Sequence, residues 1–135
     1  MSEASRWMVA LAFISLPTIA FGGSFLLTLL KRQVGTENIT PVQREYFKAG
    51  HAHAGVLVTL AIISQLILDF SKFDEWAVWF LRVGLFIAPL LISNGFWAGA
   101  PRIEGGKPGA LVKLIPVGAV VFSISAIATG ISLLI

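Results

Sequence analysis

Four long stretches of the chain carry no charge, and the charged residues collect between them. Trp7 to Leu30 is an uncharged run of 24 residues, and Ala49 to Leu68 is one of 20. Between Glu75 and Arg102 lie 26 residues broken only by Arg82, and 22 more follow Lys113 to Ile135. A helix that crosses the hydrocarbon core of a bilayer needs about 20 apolar residues. The pattern therefore predicts four membrane-spanning helices, at about 7–30, 46–70, 76–99 and 111–134, in one transmembrane domain covering residues 1–135. With connections this short, the expected fold is all-α, an antiparallel four-helix transmembrane bundle.

Local signals refine the ends. Thr40-Pro41-Val42-Gln43 places a capping residue, a proline at the first helical position and a glutamine at the third, which is a capping box. A helix from Pro41 to Phe70 would be about 45 Å long, more than a bilayer core of roughly 30 Å. Its first turns, with Arg44, Glu45 and Lys48, are therefore expected to overhang the membrane. Pro17, Pro89 and Pro116 fall in spans one, three and four, where prolines usually mark kinks. Gly95 and Gly99 form a G-x-x-x-G pair at the end of span three. A signal peptide is the competitor for the first span, since Trp7 to Leu16 followed by Thr18-Ile19-Ala20 resembles a cleavable leader. The apolar run continues to Leu30, so the reading is a retained helix. The sequon Asn38-Ile39-Thr40 falls in a loop expected to be cytoplasmic.

Composition removes other classes. Hydrophobic residues make up 56% and charged residues 13%, with no cysteine, against about 25% charged in soluble domains. Disordered tails, disulfide-stapled modules, iron–sulfur clusters and thiol nucleophiles are excluded for this chain. Lys31, Arg32, Arg44, Lys48, Arg102, Lys107 and Lys113 lie in the two longer connections, whereas Arg6 and Lys72 lie at the other end. Cations favour the cytoplasmic side, so both termini are expected outside, in a cell membrane of the bacterial inner-membrane kind. Trp7, Phe70, Phe73, Trp76 and Trp79 suit an aromatic belt at the outer interface. Topology accounts for the net charge of +3, and no nucleic-acid partner is implied. A thin bundle has little private interior, so the partners expected are the lipid bilayer and either further copies of this chain or the subunits of a larger membrane complex.

The segment that looks like chemistry is Lys48-Ala49-Gly50-His51-Ala52-His53-Ala54-Gly55, which holds both histidines of the chain. Positions i and i+2 of a helix point about 200° apart, so His51 and His53 cannot chelate one metal from a single regular helix. They can address two different neighbours. The small residues leave room for a flat ligand or a close helix. Asn94 lies 18 residues beyond Trp76, or about 27 Å deep, level with the histidines, as are Ser93 and Trp97. Tyr46 is one to two turns away on the histidine helix. The expected site is a cytoplasm-facing polar pocket of His51, His53, Asn94 and Tyr46, ringed by Lys31, Arg32 and Lys113. A packing role, with the small residues serving helix contact, fits the same residues. Arg82, an ionisable residue inside a span, is expected to pair with Asp69, Asp74 or Glu75. Gln65 and Thr59 are expected to make interhelical hydrogen bonds, and the tryptophans to act as belt anchors.

The stretch Gly50-His51-Ala52-His53-Ala54-Gly55 with its following apolar helix resembles the His-x-His helices of haem-binding membrane proteins, namely the haem–copper oxidase main subunit and the NnrS-like proteins. That resemblance covers one helix of four and implies b-type haem as a cofactor, with His51 and His53 as candidate axial or metal ligands. No third histidine exists, so a haem here would be five-coordinate, shared across an oligomer interface or completed by another subunit. Arg44, Lys48, His51 and Tyr46 also resemble the basic second helix of the membrane-associated glutathione-metabolising transferases, although Val56 to Ile63 lacks that helix's polar residues. Three functions stay open: a haem- or metal-binding membrane protein, a non-catalytic accessory subunit of a larger complex, and an inner-leaflet small-anion or lipid site of a transferase or transporter.

Overall fold

The computed structural model describes residues 1–31 and 35–135. It contains four long helices: α1 (Glu3–Leu30), α2 (Pro41–Ile67), α3 (Glu75–Gly99) and α4 (Leu114–Ser132). Short 3-10 turns at Leu68–Phe70 and Ala110–Lys113 extend α2 and lead into α4. Including those turns, all four are long and apolar enough to cross a membrane.

The ends follow local chemistry. Ser2 caps α1 by accepting from the Ser5 N–H at 3.1 Å, so this helix starts earlier than its apolar run. The Thr40 box forms as expected, with Gln43 N–H donating to Thr40 Oγ1 at 3.1 Å and Thr40 N–H to Gln43 Oε1 at 2.9 Å. Pro17 and Pro89 lie inside helices. Pro116 instead sits in the first turn of α4, where a missing N–H costs no helical hydrogen bond, so the kink expected there has no cause.

The chain runs up and down. Ser2 N–H donates to Asp69 Oδ2 at 2.8 Å and Lys72 N–H to Ser132 O at 3.2 Å. These contacts gather the start of α1, the α2–α3 connection and the end of α4 at one end. At the other end, Gly109 N–H donates to Gly99 O at 3.0 Å. The helices pack in chain order, α1 on α2, α2 on α3 and α3 on α4, while α1 and α4 share no extended contact. The bundle is therefore open on that side. The physical reason is visible in α1 and α4, which are apolar on nearly all sides and bury few residues. Such helices can turn most of their surface to lipid.

Helix α3 holds the centre, with Leu81, Leu85, Ala88 and Ile92 buried along it. Its seam with α4 is built from small residues. A Cβ added at Gly99 would stand 2.7 Å from Val112 N, and one at Gly95 would stand 2.9 Å from Ile115 N. Backbones can approach this closely only where no side chain intervenes. At the end with the termini, Leu68, Leu81 and Leu85 form an apolar core closed by Phe73 and Phe122.

Candidate functional site

Helix α2 carries both histidines, and they leave it in different directions. His51 faces α1: a Cβ at Gly23 would lie 3.2 Å from its Cε1 and 3.3 Å from its Nε2, and one at Gly22 would lie 3.5 Å from its Nδ1. The ring thus rests on a step that two glycines leave open. His53 turns to the exposed side of α2. Its ring stacks on Phe96 with centroids 5.0 Å apart, and its Nδ1 lies 2.7 Å from Ala49 O, one turn back. A backbone carbonyl accepts only from a protonated nitrogen, so that contact places hydrogen on Nδ1. In the neutral ring Nε2 is then the lone-pair nitrogen, and it has no hydrogen-bond partner among the described residues.

The four expected site residues therefore fall into two pairs. His51 and Asn94 line one cavity of about 170 Å³ between α1, α2 and α3, together with Thr18, Ser93 and Trp97. His53 and Tyr46 both meet Phe96 instead, Tyr46 at a centroid distance of 6.0 Å. Among the described residues, His53 and Tyr46 do not line the cavity that holds His51 and Asn94. The divergence is the helical geometry read from the sequence; the separation of Tyr46 from the cavity follows from the aromatic residues packed between them.

Those aromatics fill the space that small residues left. Trp97 lies over Gly50, where an added Cβ would come within 2.6 Å of its Cδ1. It stacks on Phe47 at 4.7 Å and meets Phe25 at 5.9 Å. Trp97 is thus a packing residue at the floor of the cavity and no belt anchor. Gly55, by contrast, has nothing within 4 Å of an added Cβ, and with Ala52, Val56 and Thr59 it leaves an open strip on α2.

Among the described residues, no lysine or arginine lines the His51 cavity. Arg44 and Lys48 line a separate cavity of about 350 Å³ with Leu26, Leu29 and Leu30. Arg44 Nε donates to Ile39 O at 3.4 Å, and Lys48 pairs with Glu45 at 2.7 Å. Lys31 caps the end of α1, and Lys113 lies in the turn before α4. Arg32 lies outside the described residues. No group of three or more metal-ligating side chains occurs among the described residues.

Among the described residues, one fully buried side-chain oxygen in the cavity is unmatched. Ser93 is 8% exposed, and its Oγ has no hydrogen-bond partner. A serine in a helix commonly donates to a carbonyl three or four residues back, as Ser15, Thr18 and Ser123 do here. At Ser93 the i−3 acceptor is Leu90 O, and Asn94 Nδ2 already donates to it at 2.8 Å. A buried hydroxyl without a partner costs about 1–3 kcal/mol.

The polar cluster at the opposite end of α2 belongs to the scaffold. Arg82 is buried and donates to Asp69 Oδ1 at 2.7 Å, so Asp69 is its carboxylate among the three expected candidates. It also donates to Gln65 O at 2.9 Å and to Ser5 Oγ. Gln65 Nε2 returns a bond to Arg82 O at 3.2 Å, the interhelical role expected of it. Thr59 differs from expectation: it donates to Gly55 O at 2.8 Å within its own helix, because no neighbour covers that strip. Comparisons with protein-family models, with curated proteins and with solved structures return no match for this chain.

Proposed function

We propose that this chain is a subunit of a multi-pass membrane complex that offers the His53 imidazole as an axial ligand to a b-type haem, or to another metal, at its contact with a second chain. The observation that carries the reading is the 2.7 Å contact of His53 Nδ1 with Ala49 O. Ligating histidines characteristically donate their other ring N–H to a carbonyl or carboxylate, which fixes the ring and frees Nε2 for the metal. His53 has that arrangement on an exposed face, with Phe96 holding the ring plane.

Both histidines border open space, so the fixing of the ring, and not room, decides between them. His51 lines the cavity of about 170 Å³, below the roughly 300–1,000 Å³ of sites for drug-sized ligands, and also edges the open strip of α2, a hollow of about 480 Å³. His53 borders an open hollow of about 190 Å³ with Ala52, Val56 and Leu57, and of the two histidines it is the one whose ring is fixed by a backbone carbonyl. One histidine supplies one axial position, and the second chain would supply or leave open the other. A haem held in this way would carry single electrons, at a potential set by its ligands and surroundings. The excess of cations in the two longer connections supports an orientation with both termini outside, which places His53 toward the cytoplasmic side of a cell membrane.

The test is an optical spectrum of protein purified after haem-replete expression. A Soret band is expected, lost in His53→Ala and kept in His51→Ala. Absence of the band from the wild type, or its loss only in His51→Ala, overturns the reading. The open strip of Ala52, Gly55, Val56 and Thr59 favours a second reading, an accessory subunit packed there against a partner helix without any cofactor. In that case the protein co-purifies with a stoichiometric partner and shows no Soret band.

A further inference from the structure

The cavity beneath His51 is one end of a longer groove. A second chamber of about 220 Å³, lined by Leu11, Ala12, Ala61 and Phe86, shares Ser15, Val58 and Leu90 with it. Both lie over α2, between α1 and α3, which touch each other only briefly. The two ends differ in chemistry. One presents the imidazole of His51, the amide of Asn94 and the unpartnered Ser93 hydroxyl; the other is apolar apart from Ser15, whose hydroxyl donates to Ala12 O at 2.7 Å. No lysine, arginine, aspartate or glutamate among the described residues lines either chamber.

We infer that this groove binds an uncharged membrane-soluble amphiphile, with a single-ring head bearing a carbonyl or hydroxyl oxygen at His51 and Ser93 and an apolar tail running toward Phe86. Three observations set that chemistry. A cavity of about 150 Å³ is enough for one benzene ring, so about 170 Å³ has room for a single ring. The Ser93 hydroxyl is nine-tenths buried and has no partner among the described residues, so a head-group oxygen would complete it. Among the described residues the lining holds no lysine or arginine, which favours an uncharged head over a phosphate or carboxylate, because a buried anion needs a paired charge. The site is independent of His53, which lines neither chamber.

Trp97 lines the polar chamber and reports on it. Titration of the purified protein in detergent with a decyl-substituted benzoquinone, whose ring quenches indole fluorescence, should give a saturable component that is absent in Trp97→Phe. Ser93→Ala should weaken binding about tenfold, the equivalent of one ordinary hydrogen bond. Decylphenol should displace the probe at least tenfold more effectively than decylbenzene, a comparison that uses only the wild-type protein. Repeating the titration on His53→Ala protein, where the same saturable component is expected, keeps the result separate from haem ligation. Quenching that never saturates overturns the proposal. Equal potency of decylphenol and decylbenzene overturns the polar head, and displacement by phosphatidylglycerol as readily as by decylphenol overturns the uncharged one.

Discussion

The Arg82 guanidinium donates to the Asp69 carboxylate at 2.7 Å, with side chains only 5% and 14% exposed. This pair joins α3 to the end of α2, and Ser5 of α1 completes it. Ser5 Oγ accepts from Arg82 and lies 2.7 Å from both Gln65 O and Asp69 Oδ1. Three helices therefore meet at one ion pair, close to where the apolar core of Leu68, Leu81 and Leu85 begins.

Breaking that pair from one side should be severe. Arg82→Leu leaves a carboxylate with little solvent, and Asp69→Leu leaves a guanidinium; removing one partner of a buried pair typically costs about 3–5 kcal/mol. The double variant removes both uncompensated charges, so its cost should fall well short of the sum. Unfolding in detergent, followed for all four proteins as a double-mutant cycle, checks this. Strict additivity would mean that the two groups do not act together.

Ser5→Ala tests the third member. The substitution deletes an acceptor of Arg82 and a donor to α2 without adding bulk. A loss of about 1–3 kcal/mol is expected, with the start of α1 exchanging its amides faster than α2. An unchanged unfolding midpoint would show that α1 is held by packing alone.

Arg82 also shows what the sequence can and cannot reveal. Its pairing with a nearby carboxylate was legible because an ionisable group in a span needs a partner, and three carboxylates stood close by in the chain. Ser5 was not legible as a member, since it precedes the apolar run and was assigned to the exterior. The opposite directions of His51 and His53 follow from helical pitch alone. The missing cationic ring and the open side of the bundle did not follow. Helices as uniformly apolar as α1 and α4 carry no stripe to fix which face turns inward. Nor could the sequence show that Trp97 fills the space over Gly50, because that depends on the rotation of α3 against α2.

The glycines of the α3–α4 seam should be separable from those on the open strip. Gly99→Val would bring side-chain atoms against the Val112 backbone, which already stands 2.7 Å from an added Cβ. Overpacking of this kind costs about 1–3 kcal/mol, and α4 should separate first, seen as faster proteolysis at Arg102 to Lys107. Gly55→Ala meets nothing within 4 Å and should be neutral or stabilising by up to about 1 kcal/mol. If Gly55→Ala is the more damaging of the two, the open strip is covered in the assembled protein. That result would favour the accessory-subunit reading.

The glycine step under His51 gives a last, finer contrast. At Gly22 an added Cβ would sit at ordinary contact distance, 3.5 Å from His51 Nδ1, whereas at Gly23 it would sit 3.2 Å from Cε1 and 3.3 Å from Nε2. Gly22→Ala should therefore leave the ring in place. Gly23→Ala must push it by a few tenths of an ångström toward the cavity shared with Ser93. Nitrogen-15 shifts of the two imidazoles report this directly: the His51 resonances should move in Gly23→Ala and stay in Gly22→Ala. The His53 resonances, held by Ala49 O and Phe96, should be unchanged in both. Equal movement in the two variants would mean that His51 is not seated on this step.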